Sequence, residues 1–156
     1  MHSGVDAIKL ARTDWAGAEV GQLLEGAEVT IDWNTVVLQV SGSQDWNRVH
    51  HDPGFAHESG HSSIFLNTGW TSAVLFKVAS DWIGASGWIE RFEFRMRQMN
   101  TFGDTVRSVG QIRDKRIDSE GRRIVDLDLW LENNRVGKTT IASVVVVFST
   151  PAGEVE

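Results

Sequence analysis

From Trp88 onward, polar and apolar positions alternate with a period of two. Ile89, Arg91, Glu93, Arg95 and Arg97 alternate with Trp88, Phe92, Phe94 and Met96, and Glu90 is the one residue out of step. Successive side chains of a strand point to opposite faces, so this pattern predicts a half-buried β-strand. Val106 to Ile117 alternates less cleanly, and Asp118-Ser119-Glu120-Gly121 is a turn signal. Ile124, Leu127, Leu129 and Leu131 predict a further strand, closed at Asn133-Asn134. After Gly137-Lys138, the valine-rich stretch Thr139 to Ser149 reads as a central strand buried on both faces.

Upstream the period changes. Trp70, Val74, Leu75, Val78 and Trp82 recur at helical spacing after Asn67 and Thr68, both good N-cap residues. Gly84 and Gly87 are expected to stop that helix. Ala27 to Trp33 predicts a first strand, and Asn34 or Thr35 is expected to cap a short helix through Val36, Val37 and Val40 that ends near Gly42. Pro53-Gly54 marks a turn. Residues 1–26 show little periodicity and predict an irregular N-terminal stretch with one short helix near Trp15. One central helix followed by four long strands makes an α+β domain with a mainly antiparallel sheet, its apolar face covered by the Trp70–Trp82 helix.

Composition narrows the chemistry. A chain of 156 residues suits one domain. The absence of cysteine removes disulfides, thiolate catalysis and Cys-based metal sites. A net charge of −6 argues against nonspecific binding to nucleic acid or to an anionic membrane. The longest apolar run, Val144 to Phe148, is too short to span a bilayer, and Met1-His2-Ser3-Gly4 lacks the features of a signal peptide. A cytoplasmic location is therefore expected. Seven Trp and seven Phe without a Tyr supply rings mostly for core and interface.

Four of the five histidines fall between His50 and His61, and Asp45 and Asp52 flank the first pair. Histidine exchanges protons near neutral pH, so Asp45 and His50 are candidates for acid–base work. The structural alternative is a capping Asp and a loop His. His51, His57 and His61 have no regular ligand spacing, and no metal is expected. Gly69 begins the central helix, where it serves either close packing or the binding of a developing oxyanion. Trp70 and Trp82 read first as core or interface anchors.

Taken together, Asp45-x-Asn47-x-x-His50, Asp52-Pro53, Ala56, Gly60 and Ile64 to Gly69 resemble the signature of the MaoC-like hydratases and dehydratases of the hot-dog fold. Phe102-Gly103-Asp104-Thr105-Val106 resembles the family's Gly-Asp-Thr turn, and Asn133 to Gly137 its Asn-x-x-Gly turn. The likeness covers roughly residues 20–150. Arg48 departs from the Pro often found there, and Thr68-Gly69 from the common His-Gly. The resemblance implies a single hot-dog domain, an antiparallel sheet wrapped around a central helix, over residues 21–156, with residues 1–20 an arm. It implies reversible hydration of a 2-enoyl-CoA to the (R)-3-hydroxyacyl-CoA, within fatty acid or steroid degradation. In that role Asp45 and His50 share the water and Gly69 marks the oxyanion site. Asn47, Thr68, Trp70 and Arg95 are the substrate-binding candidates, and no cofactor is implied. Arg91, Arg97, Arg113, Lys115 and Arg116 stand beside Arg95 as candidates for the CoA phosphates.

The Val-His-His-Asp form resembles the small subunits of actinobacterial steroid side-chain enoyl-CoA hydratases, which work beside a second, related chain. The resemblance thus implies either a homodimer or a heteromer with a second MaoC-like chain, paired so that two sheets become continuous. A thioesterase on the same fold, or a non-catalytic partner subunit, are the alternative readings.

Overall fold

The computed structural model describes residues 13–149. In chain order they form β1 (Leu23–Thr30), α1 (Trp33–Ser43), a 3-10 turn (Arg48–His50), α2 (Pro53–Glu58), α3 (Thr68–Ile83), β2 (Gly87–Met96), β3 (Thr105–Ile117), β4 (Arg123–Asn133) and β5 (Gly137–Phe148). The five strands make one antiparallel sheet in the order β1-β3-β4-β5-β2, curled around α3. Among the described residues, no helix is long and apolar enough to cross a membrane.

Helix α3 forms where the apolar spacing places it. Asn67 is its N-cap and accepts the Trp70 N–H at 2.8 Å, and Gly84 ends it at φ 54°. Its buried residues are Thr71, Leu75, Val78, Ala79 and Ile83, while Trp70, Val74 and Trp82 lie half-buried at the margins of that face. The stripe is thus centred on smaller residues than the hydrophobic pattern selects. Small side chains let the sheet come close, and the indoles flank the contact. Gly26 on β1 makes the same point: a Cβ there would meet Val78 Cγ2 at 2.7 Å and the Ser108 carbonyl oxygen at 2.8 Å. Because one of those neighbours is backbone, it cannot swing aside. Gly26→Ala is expected to destabilise the fold by about 1–3 kcal/mol, read as a lower urea midpoint with an unchanged slope.

Several elements differ from the sequence expectations. Strand β1 begins at Leu23 rather than Ala27, because a bulge between Glu25 and Glu28 breaks its alternation. Trp33 belongs to α1 and not to the strand, since Asp32 rather than Asn34 or Thr35 takes the cap, its carboxylate accepting the Thr35 N–H at 2.9 Å. The segment at Trp15 is a turn rather than a helix, with Asp14 Oδ1 accepting the Gly17 N–H at 2.7 Å. Lys115 Nζ sits 4.2 Å over the Trp15 ring, and Ala18 is buried beneath this turn.

In β2 the out-of-step Glu90 is a bulge between Ile89 and Arg91. It shifts the phase, so Ile89 joins Phe92 and Phe94 against the core while Trp88 is exposed. Gly87, expected as part of the helix stop, is already the first residue of β2. Strand β5 lies between β4 and β2, and β4 is the middle strand. On β5, Ala142, Val144 and Val146 are buried among the core residues, while the alternate Ile141, Ser143 and Val145 are half-buried.

Candidate functional site

The Asp45–His50 segment is built from nested side-chain turns. Asp45 Oδ1 accepts the Asn47 N–H at 3.2 Å, and Asn47 Oδ1 accepts the Val49 N–H at 3.3 Å. Short polar side chains hydrogen-bond their own backbone two residues on, so the Asp-x-Asn spacing fixes the loop that carries His50. Asp52 then caps α2 through the Phe55 N–H at 3.0 Å and pairs with Arg48 at 2.6 Å. The Phe55 N–H first, and then Arg48, hold its carboxyl below the ordinary aspartate pKa. Asp52 is thereby engaged in holding the loop.

His50 is buried at 8% exposure. Its Nδ1 lies 2.9 Å from the Phe65 carbonyl oxygen. A carbonyl only accepts, so Nδ1 carries the hydrogen and the neutral ring leaves Nε2 bare. Nε2 faces Asp45 Oδ2 at 3.3 Å, and the Asp45 side chain is 40% exposed. In this tautomer two acceptors face one another. A water lying beside the pair could donate one hydrogen to each.

Polar residues of α1 hold this pair against the start of α3. Gln39 is 3% exposed; its Oε1 accepts the Asn67 N–H at 2.7 Å, and its Nε2 reaches the carbonyls of His50 and Phe65 at 3.4 Å. Ser43 Oγ donates to the Gln39 carbonyl at 2.6 Å and accepts from Asn67 Nδ2 at 2.6 Å. Gln39, Ser43, Phe65 and Asn67 belong to the site without standing out in the sequence as site residues. The available signal is Gln39 and Ser43 four residues apart on an otherwise valine-rich helix, which puts both on one face.

Gly69 packs against Ser43, whose Cβ would lie 2.8 Å from a Cβ added at residue 69. The backbone donors at the start of α3 are unequally engaged. Trp70 N–H is taken by Asn67 Oδ1 and Thr71 N–H by the Asn67 carbonyl, while those of Thr68 and Gly69 have no acceptor among the described residues. Thr68 Oγ1 lies 3.8 Å from Met96 Sδ. Trp70 is half-buried and packs on the core. Arg95 goes elsewhere: it lines a cleft of about 520 Å³ on the outer face of the sheet with Glu93, Asp128 and Trp130, and that cleft includes neither Asp45 nor His50. Asn47 is exposed, its carbonyl oxygen engaged in the turn.

A second cleft, of about 420 Å³, likewise includes neither Asp45 nor His50, but Phe65 on its wall contacts His50. His61, Phe65, Met96, Arg97 and Arg135 are among its lining residues. The Phe65 ring bridges to the site, with ring centroids 4.9 Å from His50 and 4.8 Å from His61. Among the described residues, no three His, Asp or Glu side chains are placed to hold a metal ion.

No family sequence model matches the chain, and no curated protein matches it in sequence. Its three-dimensional form does match solved structures. An R-hydratase, PhaJ1, from Pseudomonas aeruginosa superposes with a TM-score of 0.73 at 18% identity, over 86% of this chain and 84% of that one. The (R)-hydratase of A. caviae involved in PHA biosynthesis gives 0.74 at 17% identity, over 85% and 98%. This is the hot-dog fold. The crystal structure of the ChsH1–ChsH2 complex from Mycobacterium tuberculosis also matches, with a TM-score of 0.74 at 23% identity over 84% of this chain and 98% of that chain. In this hot-dog domain α3 is the enclosed helix, and β1 and β2 are the open edges of the sheet. The MaoC-like dehydratase of Rhodospirillum rubrum shares the same form, with a TM-score of 0.70 at 17% identity over 87% and 97%.

Proposed function

We propose that the chain is a hydro-lyase that hydrates 2-enoyl thioesters, forming the (R)-3-hydroxyacyl product, and dehydrates them in reverse. The observation that carries this reading is the pair of facing acceptors, Asp45 Oδ2 and His50 Nε2, 3.3 Å apart beside the start of α3. Hydration needs an oriented water, a proton at Cα and a stabilised thioester oxygen. A water lying beside the pair and donating to both acceptors attacks Cβ with its oxygen, and one of the two takes its proton. The group so protonated is in place to deliver a proton to Cα, so the water is added whole and no redox change occurs. The thioester oxygen, gaining enolate charge, is received by the free Thr68 and Gly69 N–H groups, where the helix dipole adds to the effect.

Assembly belongs to the same proposal. The open edge of β2 offers unpaired backbone groups to a second hot-dog chain, either another copy or a related partner. Acyl-CoA is the substrate class that fits this chemistry, and a location in the cytoplasm fits a chain that acts on it.

The test mixes the purified chain with crotonyl-CoA and with a bulky enoyl-CoA, following the enoyl-thioester absorbance and free thiol together. Loss of the enoyl band without thiol is the expected result. Release of thiol would move the assignment to a thioesterase, and inactivity with every enoyl thioester, with and without a partner chain, would overturn it.

A further inference from the structure

The outer side of α1 is apolar and open to water. Trp33, Val37 and Trp46 are each more than half exposed, and Leu38, at 71%, is the most exposed large apolar side chain among the described residues. Phe102 extends the patch, its ring centroid 4.9 Å from that of Trp33. At the 150–250 Å² that an aromatic side chain carries, these five residues expose on the order of 500 Å². The apolar share of one side of a standard protein interface, about 56% of roughly 800 Å², is of the same size. The patch is thus large enough for a protein partner.

The shape of the patch narrows the occupant. Trp33, Val37, Val40 and Trp46 line a hollow of about 260 Å³, with Ser41 at its wall. That lies below the roughly 300 Å³ at which small-molecule sites begin, and no Asp, Glu, Lys or Arg among the described residues lines it. It suits one apolar side chain. Leu38 is such a side chain, and it stands beside the hollow, three residues before Ser41 on the same helix face. Knob and hollow share one patch, as a self-complementary contact requires.

Two further observations point to a second copy of this chain. A two-fold axis sets a surface against itself, so a charge near the axis meets its like. Residues 33–43 carry no charge. Gly42 lies four residues after Leu38, again on that face. A Cβ there would meet nothing within 4 Å, so packing inside the chain does not require this glycine, while a glycine costs a helix backbone entropy. A helix of another copy crossing at this point would make use of the space.

We propose that α1 is a contact between two copies of the chain, related by a two-fold axis, with Leu38 of each copy seated in the hollow of the other. Helix α1 directly follows β1, the edge of the sheet opposite β2. The contact therefore leaves β2 free to pair, and it stands whether or not the chain is a hydratase. The inward face of the same helix carries Gln39 and Ser43, so the contact lies directly behind the Asp45–His50 pair.

The mass of the full chain in solution, by sedimentation, tests this. Leu38→Lys removes the knob and places a charge against its like. Gly42→Lys adds a charged side chain where the chain itself leaves room, so it probes the contact without disturbing the fold. Each is expected to halve the mass of the assembly, from four copies to two where β2 also pairs and from two to one where it does not, with far-UV circular dichroism unchanged. One mass common to the unaltered chain and both variants, the result expected if an unlike protein covers α1, would overturn the proposal. The chain has no cysteine, so Leu38→Cys carries a single thiol. That thiol is expected to react slowly with a thiol reagent in the assembly and faster once Gly42→Lys is added. Equal rates would mean that no second copy encloses residue 38, and would overturn the proposal as well.

Discussion

Asp45→Asn is expected to reduce kcat for enoyl-thioester hydration by about 10²–10⁴-fold, the usual contribution of one acid–base group, while the protein stays folded. The geometry makes this substitution a clean probe. Asparagine keeps an Oδ1 to accept the Asn47 N–H, so the turn that carries His50 is preserved. Its Nδ2 replaces Oδ2, and a donor then faces His50 Nε2 directly. The two groups bond to each other, and the water of the proposed reaction would lose both its place and one of its bases. His50→Ala should reach a similar loss by another route, because it removes the other base and leaves the Phe65 carbonyl without the 2.9 Å partner it has at Nδ1. Since His50 is buried, that variant also opens a cavity and lowers stability, so Asp45→Asn is the more discriminating of the two. Steady-state rates with crotonyl-CoA, beside circular dichroism and a thermal melt, decide the matter. Activity within a few-fold of the unaltered chain in either variant removes Asp45 and His50 from the chemistry.

The largest expected loss of stability from a single polar group is at Asp104. Its side chain is 7% exposed and accepts from Arg135 Nε and Nη2 at 2.9 Å each, from Asn133 Nδ2 at 3.0 Å and from the Thr101 N–H at 2.9 Å. This knot ties the Gly103-Asp104-Thr105 turn to the Asn133–Gly137 turn, and so fixes the end of the sheet next to the Arg97 cleft. Asparagine offers one acceptor oxygen where the carboxylate uses two, and it turns an amide toward donors. Asp104→Asn should therefore cost about 2–4 kcal/mol, below the full value for breaking a buried ion pair because Arg135 is half-exposed.

The pH dependence has a definite sign. Burial opposes the Asp104 charge, but the Arg135 guanidinium and the Thr101 N–H outweigh it and hold the carboxyl below its ordinary value of 3.8. A carboxyl depressed in the folded state stabilises the fold above its unfolded pKa and loses that contribution as pH falls through the lower folded value. Urea denaturation should show the full gap between the two proteins from neutrality down to about pH 4, and a narrowing gap below it. A gap that is absent at pH 7, or that widens in acid, would exclude this role for Asp104.

The sequence by itself determined much of this architecture. Periodicity reports which face of an element is buried, so α3 was legible from Leu75 and Val78 between Asn67 and Gly84, and β2 from its alternation, down to Glu90 as the irregular residue. The nested turns of Asp45-x-Asn47-x-x-His50 join only neighbouring residues, yet periodicity does not announce them. Tertiary structure decided whatever depends on separation along the chain. Whether Asp32 or Asn34 capped α1 depended on where β1 released the chain. Trp88 left the core because a single bulge reversed its phase.

Gly69 packs against α1, the Ser43 Cβ lying 2.8 Å from where a Cβ on residue 69 would stand, and periodicity does not report such a contact between elements. Arg95 and Arg97 are two residues apart and alike in charge, yet β2 ends between them at Met96. One reaches the outer cleft and the other the cleft beside Phe65. Alternation can say that two such side chains share a side of a strand. It cannot say where the strand ends, because hydrogen bonds to a carbonyl more than forty residues away, that of Thr139, hold the chain after Met96.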